Sequence, residues 1–138
     1  MQGYPVIVRY PLRWGEMDAL GHANNARFFT WFESARIALF EQVGIDASVP
    51  SGCGPILATT TCDFLKPIRY PADLEIGARV GRIGNTSFLT EYAVHLAGEP
   101  QPAARGSGVV VMVNYTHGTK VPIDDALRSA LQALGSPG

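Results

Sequence analysis

Charge is scarce in this chain: Asp, Glu, Lys and Arg together make up 17% of its 138 residues, against roughly a quarter in an ordinary soluble domain. A small monomer carries much surface per unit volume, so the shortage points to part of that surface being buried against another subunit. Basic excess is also missing. Eleven Lys and Arg against twelve Asp and Glu give a net charge of -1, which argues against a nucleic-acid partner. Long apolar runs are absent too, the longest strictly apolar stretch being Val109 to Val113. That is far too short to span a bilayer, and no membrane partner is expected. The opening Met1-Gln2-Gly3-Tyr4-Pro5 has no basic region followed by an apolar one, so it does not read as a signal peptide. Cys53 and Cys62 are the only cysteines and show no C-x-x-C spacing. They read as free thiols, which suits a cytoplasmic location. His22, His95 and His117 lack paired ligand spacing, and neither a metal nor a cofactor is expected.

What is present is a 46% hydrophobic chain with Pro and Gly spread along it, the composition of one domain over residues 1–138. Tyr4 to Arg13 is β-branched and aromatic between Pro5 and Pro11, which suits a first strand, and Trp14 to Ala23 is a loop. Asn24 to Val43 reads as a helix. Phe28, Trp31 (or Phe32), Ala35, Leu39 and Val43 recur at helical spacing, Asn24 suits the N-cap and Gly44 the stop. Phe29, Ile37 and Phe40 lie off that stripe, so the helix is apolar around most of its circumference and should be wrapped by sheet.

Sheet is what the remainder suggests. Ile56 to Lys66 is strand-like and ends before Pro67. Leu74, Ile76, Ala78 and Val80 alternate with more polar positions, as do Phe88, Thr90, Tyr92, Val94 and Leu96, with Gly84-Asn85 as the turn between them. Ala104 to Tyr115 supplies another strand. Leu127, Ala130, Leu131 and Leu134 mark a final short helix capped by Asp124. Antiparallel strands following one greasy helix make an α+β layout, a sheet around a long central helix.

The densest polar cluster, Arg13 to Asn25, stands immediately before that helix and contains Glu16, Asp18 and His22. A helix N-terminus presents free N–H groups and the positive end of a dipole, both favourable to an oxygen gaining negative charge. A carbonyl held there with a carboxylate alongside is a workable arrangement for acyl transfer. The same Asp could instead simply close a turn or cap the helix.

Here a resemblance becomes specific. Asp18-Ala19-Leu20-Gly21-His22-Ala23-Asn24-Asn25-Ala26-Arg27-Phe28, continuing to Phe32-Glu33-Ser34-Ala35-Arg36, resembles the signature of hot-dog-fold acyl-CoA thioesterases of the 4-hydroxybenzoyl-CoA thioesterase type. Phe64-Leu65-Lys66-Pro67, Ala72 to Ile76, Ile83 to Phe88 and Thr119 to Ile123 resemble later segments of that family, so the likeness covers nearly the whole chain. It implies a hot-dog fold and thioester hydrolysis, with Asp18 as general base or nucleophile, Gly21 as the residue that turns the chain into the helix, and the backbone N–H near Asn25 polarising the carbonyl. Glu16 stands where many members have a further Asp. The Gly-His-x-Asn-Asn form resembles a branch that includes acyl-carrier-protein thioesterases, which leaves the carrier open between CoA and protein and leaves His22 open between a structural role and positioning water. For an acyl-CoA substrate, Lys66, Arg69, Arg79 and Arg82 are candidate phosphate partners and Thr86 and Ser87 candidate donors. Clefts in this fold form between subunits, so a homodimer or homotetramer is expected. A non-catalytic acyl-CoA-binding domain and a hot-dog hydratase or dehydratase are the alternatives.

Overall fold

A computed structural model describes residues 1, 3–45 and 52–135. Of the single domain expected over 1–138, residues 2, 46–51 and 136–138 lie outside the described ones. In chain order the elements are β1 (Val6–Pro11), α1 (Asn25–Val43), β2 (Cys53–Phe64), β3 (Asp73–Ile83), β4 (Ser87–Leu96), β5 (Ala104–Asn114), β6 (Thr119–Lys120) and α2 (Asp125–Ala133), with a 3-10 turn at Trp14–Glu16. The strands form one antiparallel sheet in the order β1-β3-β4-β5-β2, and β6 pairs with β5.

Local chemistry bounds α1 at both ends. Asn24 has extended dihedrals and its side chain accepts the Ala26 N–H, the standard device for an orphan first-turn donor. Gly44 sits at φ 80°, and the following Ile45 N–H returns to the Phe40 carbonyl at 2.9 Å. That 6→1 closure needs a left-handed residue, which glycine adopts without strain. Asp124 caps α2 in the same way as Asn24 caps α1, accepting the Leu127 N–H at 2.7 Å.

The core lies between α1 and the concave face of the sheet. Phe28, Trp31, Phe32, Ala35, Leu39 and Phe40 of α1 are buried against Leu74, Ile76, Ala78 and Val80 of β3, Phe88, Tyr92 and Val94 of β4, and Val110 of β5. Phe32 stacks on Tyr92 with ring centroids 4.7 Å apart. Gly106 of β5 faces this contact, and a Cβ there would collide with the Phe32 ring and the Thr61 carbonyl. The sheet thus approaches the helix to the limit of close packing at one bare position.

The wrapping is one-sided. Phe40 joins the core, but Phe29 and Ile37 of α1 remain exposed. At the β2 edge, Ile56, Leu57 and Phe64 are likewise exposed, and most of the strand is open on both faces. The expected picture of a sheet around a long helix holds, with one flank of the helix and the β2 edge left bare. No helix among the described residues is long and apolar enough to cross a membrane.

Candidate active site

Between β1 and α1 the chain builds a small ribbon. Met17 bridges Ala23, the Asp18 N–H donates to the His22 carbonyl at 2.7 Å, and the Asn24 N–H donates to the Glu16 carbonyl at 2.9 Å. Ala19-Leu20-Gly21 closes the ribbon, with Gly21 at φ 78°, a conformation in which a Cβ would be strained although it would meet no neighbouring atom. From His22 the returning arm runs directly into Asn25, the first residue of α1, roughly 10 Å further on. Asp18 and the start of the helix are thereby held on one rigid piece.

Within that piece Asp18 uses its two carboxylate oxygens differently. Oδ1 accepts the Leu20 N–H at 2.9 Å and the His22 N–H at 3.2 Å, so the side chain closes its own turn. None of the described residues donates to Oδ2. The turn-closing and chemical readings of Asp18 are therefore compatible, because one oxygen serves the turn and the other is left over. The helix end has a matching vacancy: Asn24 takes the Ala26 N–H and the Asn24 carbonyl takes the Arg27 N–H, while no described residue accepts the Asn25 N–H. His22 is half-buried, and its Nε2 is buried with no partner among the described residues.

Glu16 proves to be the buried hub beneath this loop. Its carboxylate accepts the Tyr10 hydroxyl at 2.9 Å, the Arg13 N–H at 2.9 Å and the Trp31 indole N–H at 3.1 Å. Burial, followed by the hydrogen bond to Glu16 and its negative charge, raises the Tyr10 pKa above the ordinary phenol value. Sequence reasoning placed Glu16 near the helix end without this role, because its two side-chain partners, Tyr10 and Trp31, stand six residues before it and fifteen after it. Arg36, the last residue of the signature, has a buried role that the sequence did not bring out: it donates to the Tyr92 hydroxyl at 3.3 Å from within α1, and its position four residues after Phe32 on the apolar stripe was the available signal.

The remaining predicted residues divide into two groups. Lys66 and Arg69 belong to the β2–β3 connection, which lies against the ribbon through the bond from the Ala23 N–H to the Ile68 carbonyl at 2.7 Å. Trp14 and Tyr70 pack edge to face across the same seam, 5.5 Å apart. Arg82, Thr86 and Ser87 instead lie at the β3–β4 turn, where the Gly84 N–H reaches the Ser87 carbonyl at 2.7 Å. Asp73 of β3 pairs with Pro11, next to the ribbon, and Ile83 ends the strand at the turn. At about 3.3 Å per residue, the eleven residues of β3 separate the two groups by about 33 Å. One copy of the chain does not bring them together. Arg79, on the convex face, pairs with Glu91 at 3.1 Å and stands over the Tyr4 ring, away from the ribbon. Cys62 on β2 is a free thiol whose pKa is pushed up to about 11 by burial and then by the charge of Asp63. A thiol so raised is a poor nucleophile near neutrality. Among the described residues no group of three or more His, Cys, Asp or Glu side chains could hold a metal ion.

Comparison with known proteins bears on this arrangement. The sequence model of the thioesterase-like superfamily matches residues 12–131. Among solved structures, the PA5185 protein of Pseudomonas aeruginosa is 31% identical, with 99% of this chain and 96% of that one covered at a TM-score of 0.89. A thioesterase of Thermus thermophilus, solved as a complex with coenzyme A and zinc, is 33% identical, with 97% and 96% covered and a TM-score of 0.82. At 16% identity, a 1,4-dihydroxy-2-naphthoyl-CoA thioesterase from Synechocystis shares the fold, with 96% and 98% covered and a TM-score of 0.83. The antiparallel sheet around a long helix is thus the hot-dog fold that the ribbon signature implied.

Proposed function

Because this chain belongs to the thioesterase-like superfamily, we propose that it hydrolyses acyl-CoA thioesters at the ribbon between β1 and α1. The observation that carries the reading is a pair of groups there that no described residue uses, the Asp18 Oδ2 and the Asn25 N–H, on one rigid piece. In this reading the thioester carbonyl oxygen accepts the Asn25 N–H at the positive end of α1, which lowers the cost of the oxyanion. Asp18 Oδ2 then acts by one of two routes. As a general base it takes a proton from a water whose oxygen bonds to the carbonyl carbon; the C–S bond breaks, that proton passes to the sulfur, which leaves as the CoA thiol, and the acyl group leaves as a carboxylic acid that ionises. As a nucleophile it bonds to the carbon itself and expels the CoA thiolate, which takes a proton from solvent, and a water then hydrolyses the mixed anhydride to free Asp18 and the acyl carboxylate. His22 Nε2 is a spare hydrogen-bonding atom for that water or for the substrate. The coenzyme A bound to the Thermus thermophilus relative supports CoA as the carrier.

The phosphate-binding residues require a second copy in this reading. Among the described residues no strand pairs with the outer edge of β2, and Ile56, Leu57 and Phe64 are exposed there, a surface that natural sheets rarely leave open. Phe64 lies at the ribbon end of the molecule, since it pairs with Ala104 and through it with Val94, while Cys53 lies at the β3–β4 turn end, opposite Asn114. An antiparallel pairing of two β2 edges across a two-fold axis sets the ribbon end of each copy beside the turn end of the other. Lys66 and Arg69 of one protomer and the turn carrying Arg82, Thr86 and Ser87 of its partner then flank one cleft.

Two measurements test the reading. Release of free thiol from short-chain, long-chain and aromatic acyl-CoAs should be detected for at least one class. Binding without thiol release would point to an acyl-CoA-binding domain, and conversion of enoyl or hydroxyacyl thioesters without thiol release to a hydratase or dehydratase. Sedimentation should give at least twice the 14.8 kDa of the chain, and a fully active monomer would refute the shared cleft.

A further inference from the structure

Glu16 contributes no atom to the chemistry above, yet it is one of the most constrained side chains in the protein. It is 6% exposed, and among the described residues no Lys, Arg or His forms an ion pair with it. Burying a carboxylate without a countercharge is costly unless its lone pairs are well used. Here three donors use them, and they come from three different segments: Tyr10 from β1, Arg13 from the loop entering the 3-10 turn, and Trp31 from the second turn of α1. The Glu16 backbone carbonyl adds a fourth tie by accepting the Asn24 N–H at the helix cap. Asp18 follows two residues later on the same arm of the ribbon.

The division of donors between the two oxygens gives the site its selectivity. Oε1 receives the Arg13 N–H and Oε2 the Trp31 indole N–H. Neither of those groups has any capacity to accept. Both oxygens must therefore be acceptors, a condition met by a carboxylate and not by the isosteric amide. A glutamine would set its NH2 against one N–H or the other whichever way it turned, and the clash could be relieved only by moving the loop or the helix end. We propose that Glu16 is a positioning residue that, through this acceptor-only clamp, fixes the Asp18 ribbon against the N-terminus of α1 and thereby sets the turnover rate. The proposal rests on the thioesterase reading, since the rate in question is that of thioester hydrolysis.

The test is a cycle of E16Q, W31F and E16Q/W31F, read by kcat and KM for thiol release and by hydrogen exchange at the Leu20 and His22 amides. Those two amides report the Asp18 turn directly, because both donate to Asp18 Oδ1. E16Q should lower kcat by about 10- to 100-fold with KM held within about twofold, as expected when a catalytic group is displaced without loss of binding. Exchange at the Leu20 and His22 amides should accelerate as well. In the W31F background, where Oε2 faces no N–H, the same Glu-to-Gln change should cost about threefold or less. Wild-type kcat and unchanged amide exchange in E16Q would overturn the clamp, as would an equal loss in both backgrounds. A wild-type protein that releases no thiol from any acyl-CoA would instead sink the thioesterase reading, and amide exchange in the same cycle would still decide whether Glu16 holds the ribbon.

Discussion

Replacing Asp18 in two ways separates its two uses. In D18N the amide oxygen can still accept the Leu20 and His22 N–H groups that now bond Oδ1, so the turn closes as before. Only the second oxygen changes, from an acceptor able to take a proton into an NH2 group that cannot. D18A removes both functions. A positioned general base contributes about 10²- to 10⁴-fold in rate, equivalent to about 3–5 kcal/mol of barrier, and D18N should lose most of that. Its stability should stay within about 0.5 kcal/mol of wild type, the usual range for a change that breaks no structural contact.

D18A should be equally inactive and also less stable. Two side-chain to backbone hydrogen bonds at about 1 kcal/mol each, one of them exposed, amount to about 1–2 kcal/mol. For a chain of this size that is a fall in Tm of about 3–8 °C. Thiol release read with a thiol-reactive chromophore gives the rates, and thermal unfolding of the same samples gives the stabilities. D18N turning over within about twofold of wild type would refute the assignment of Asp18 outright. Equal destabilisation of D18N and D18A would refute the claim that Oδ1 builds the turn while Oδ2 is free.

Two further outcomes follow from the packing of the sheet. G106A places a methyl group against the Phe32 ring and the Thr61 carbonyl and should destabilise the protein by about 1–3 kcal/mol, the usual cost of overpacking a close contact; unchanged denaturant unfolding would contradict the helix–sheet distance at that point. Cys62, with its pKa near 11, should be alkylated slowly at pH 8, with a rate still rising beyond pH 9 because the thiolate fraction grows until about pH 11. A rate that levels off at the ordinary thiol value would show that burial and Asp63 do not act on it.

Much of this architecture was readable locally. The limits of α1 came within a residue of Asn24 and Gly44 because a cap and a left-handed glycine are short-range signals. The β3–β4 hairpin was equally plain, since Leu74 to Val80 and Phe88 to Leu96 alternate and Gly84-Asn85 marks the turn. Less legible was anything joined by the fold alone. The two-residue β6 is too short to show a period. Strand order places β2 at an edge, and no residue within β2 says so. Phe29 and Ile37 look no different from Phe40 in composition, yet only Phe40 meets the sheet, opposite Phe88. Within the site, the ribbon was legible as a cluster, but the Glu16 clamp was not, because Tyr10 and Trp31 reach it only after β1 and α1 have packed.

The length of β3, about 33 Å at about 3.3 Å per residue, which lies between the two groups of predicted binding residues, bears on the low charge of the chain. If Arg82, Thr86 and Ser87 were ordinary solvated residues, the exposed β2 edge would have no connection with them. Their position at the end of the molecule opposite the ribbon, together with an edge strand whose antiparallel self-pairing joins opposite ends, makes the two observations one. In the proposed dimer the surface that meets its own copy carries Ile56, Leu57 and Phe64 rather than charge, which is where a 17% charged composition would find room in so small a protein. The same geometry implies that blocking the β2 edge would raise KM for acyl-CoA while leaving the Asp18 ribbon intact, because the ribbon is built within one copy and the remote phosphate contacts would come from the other.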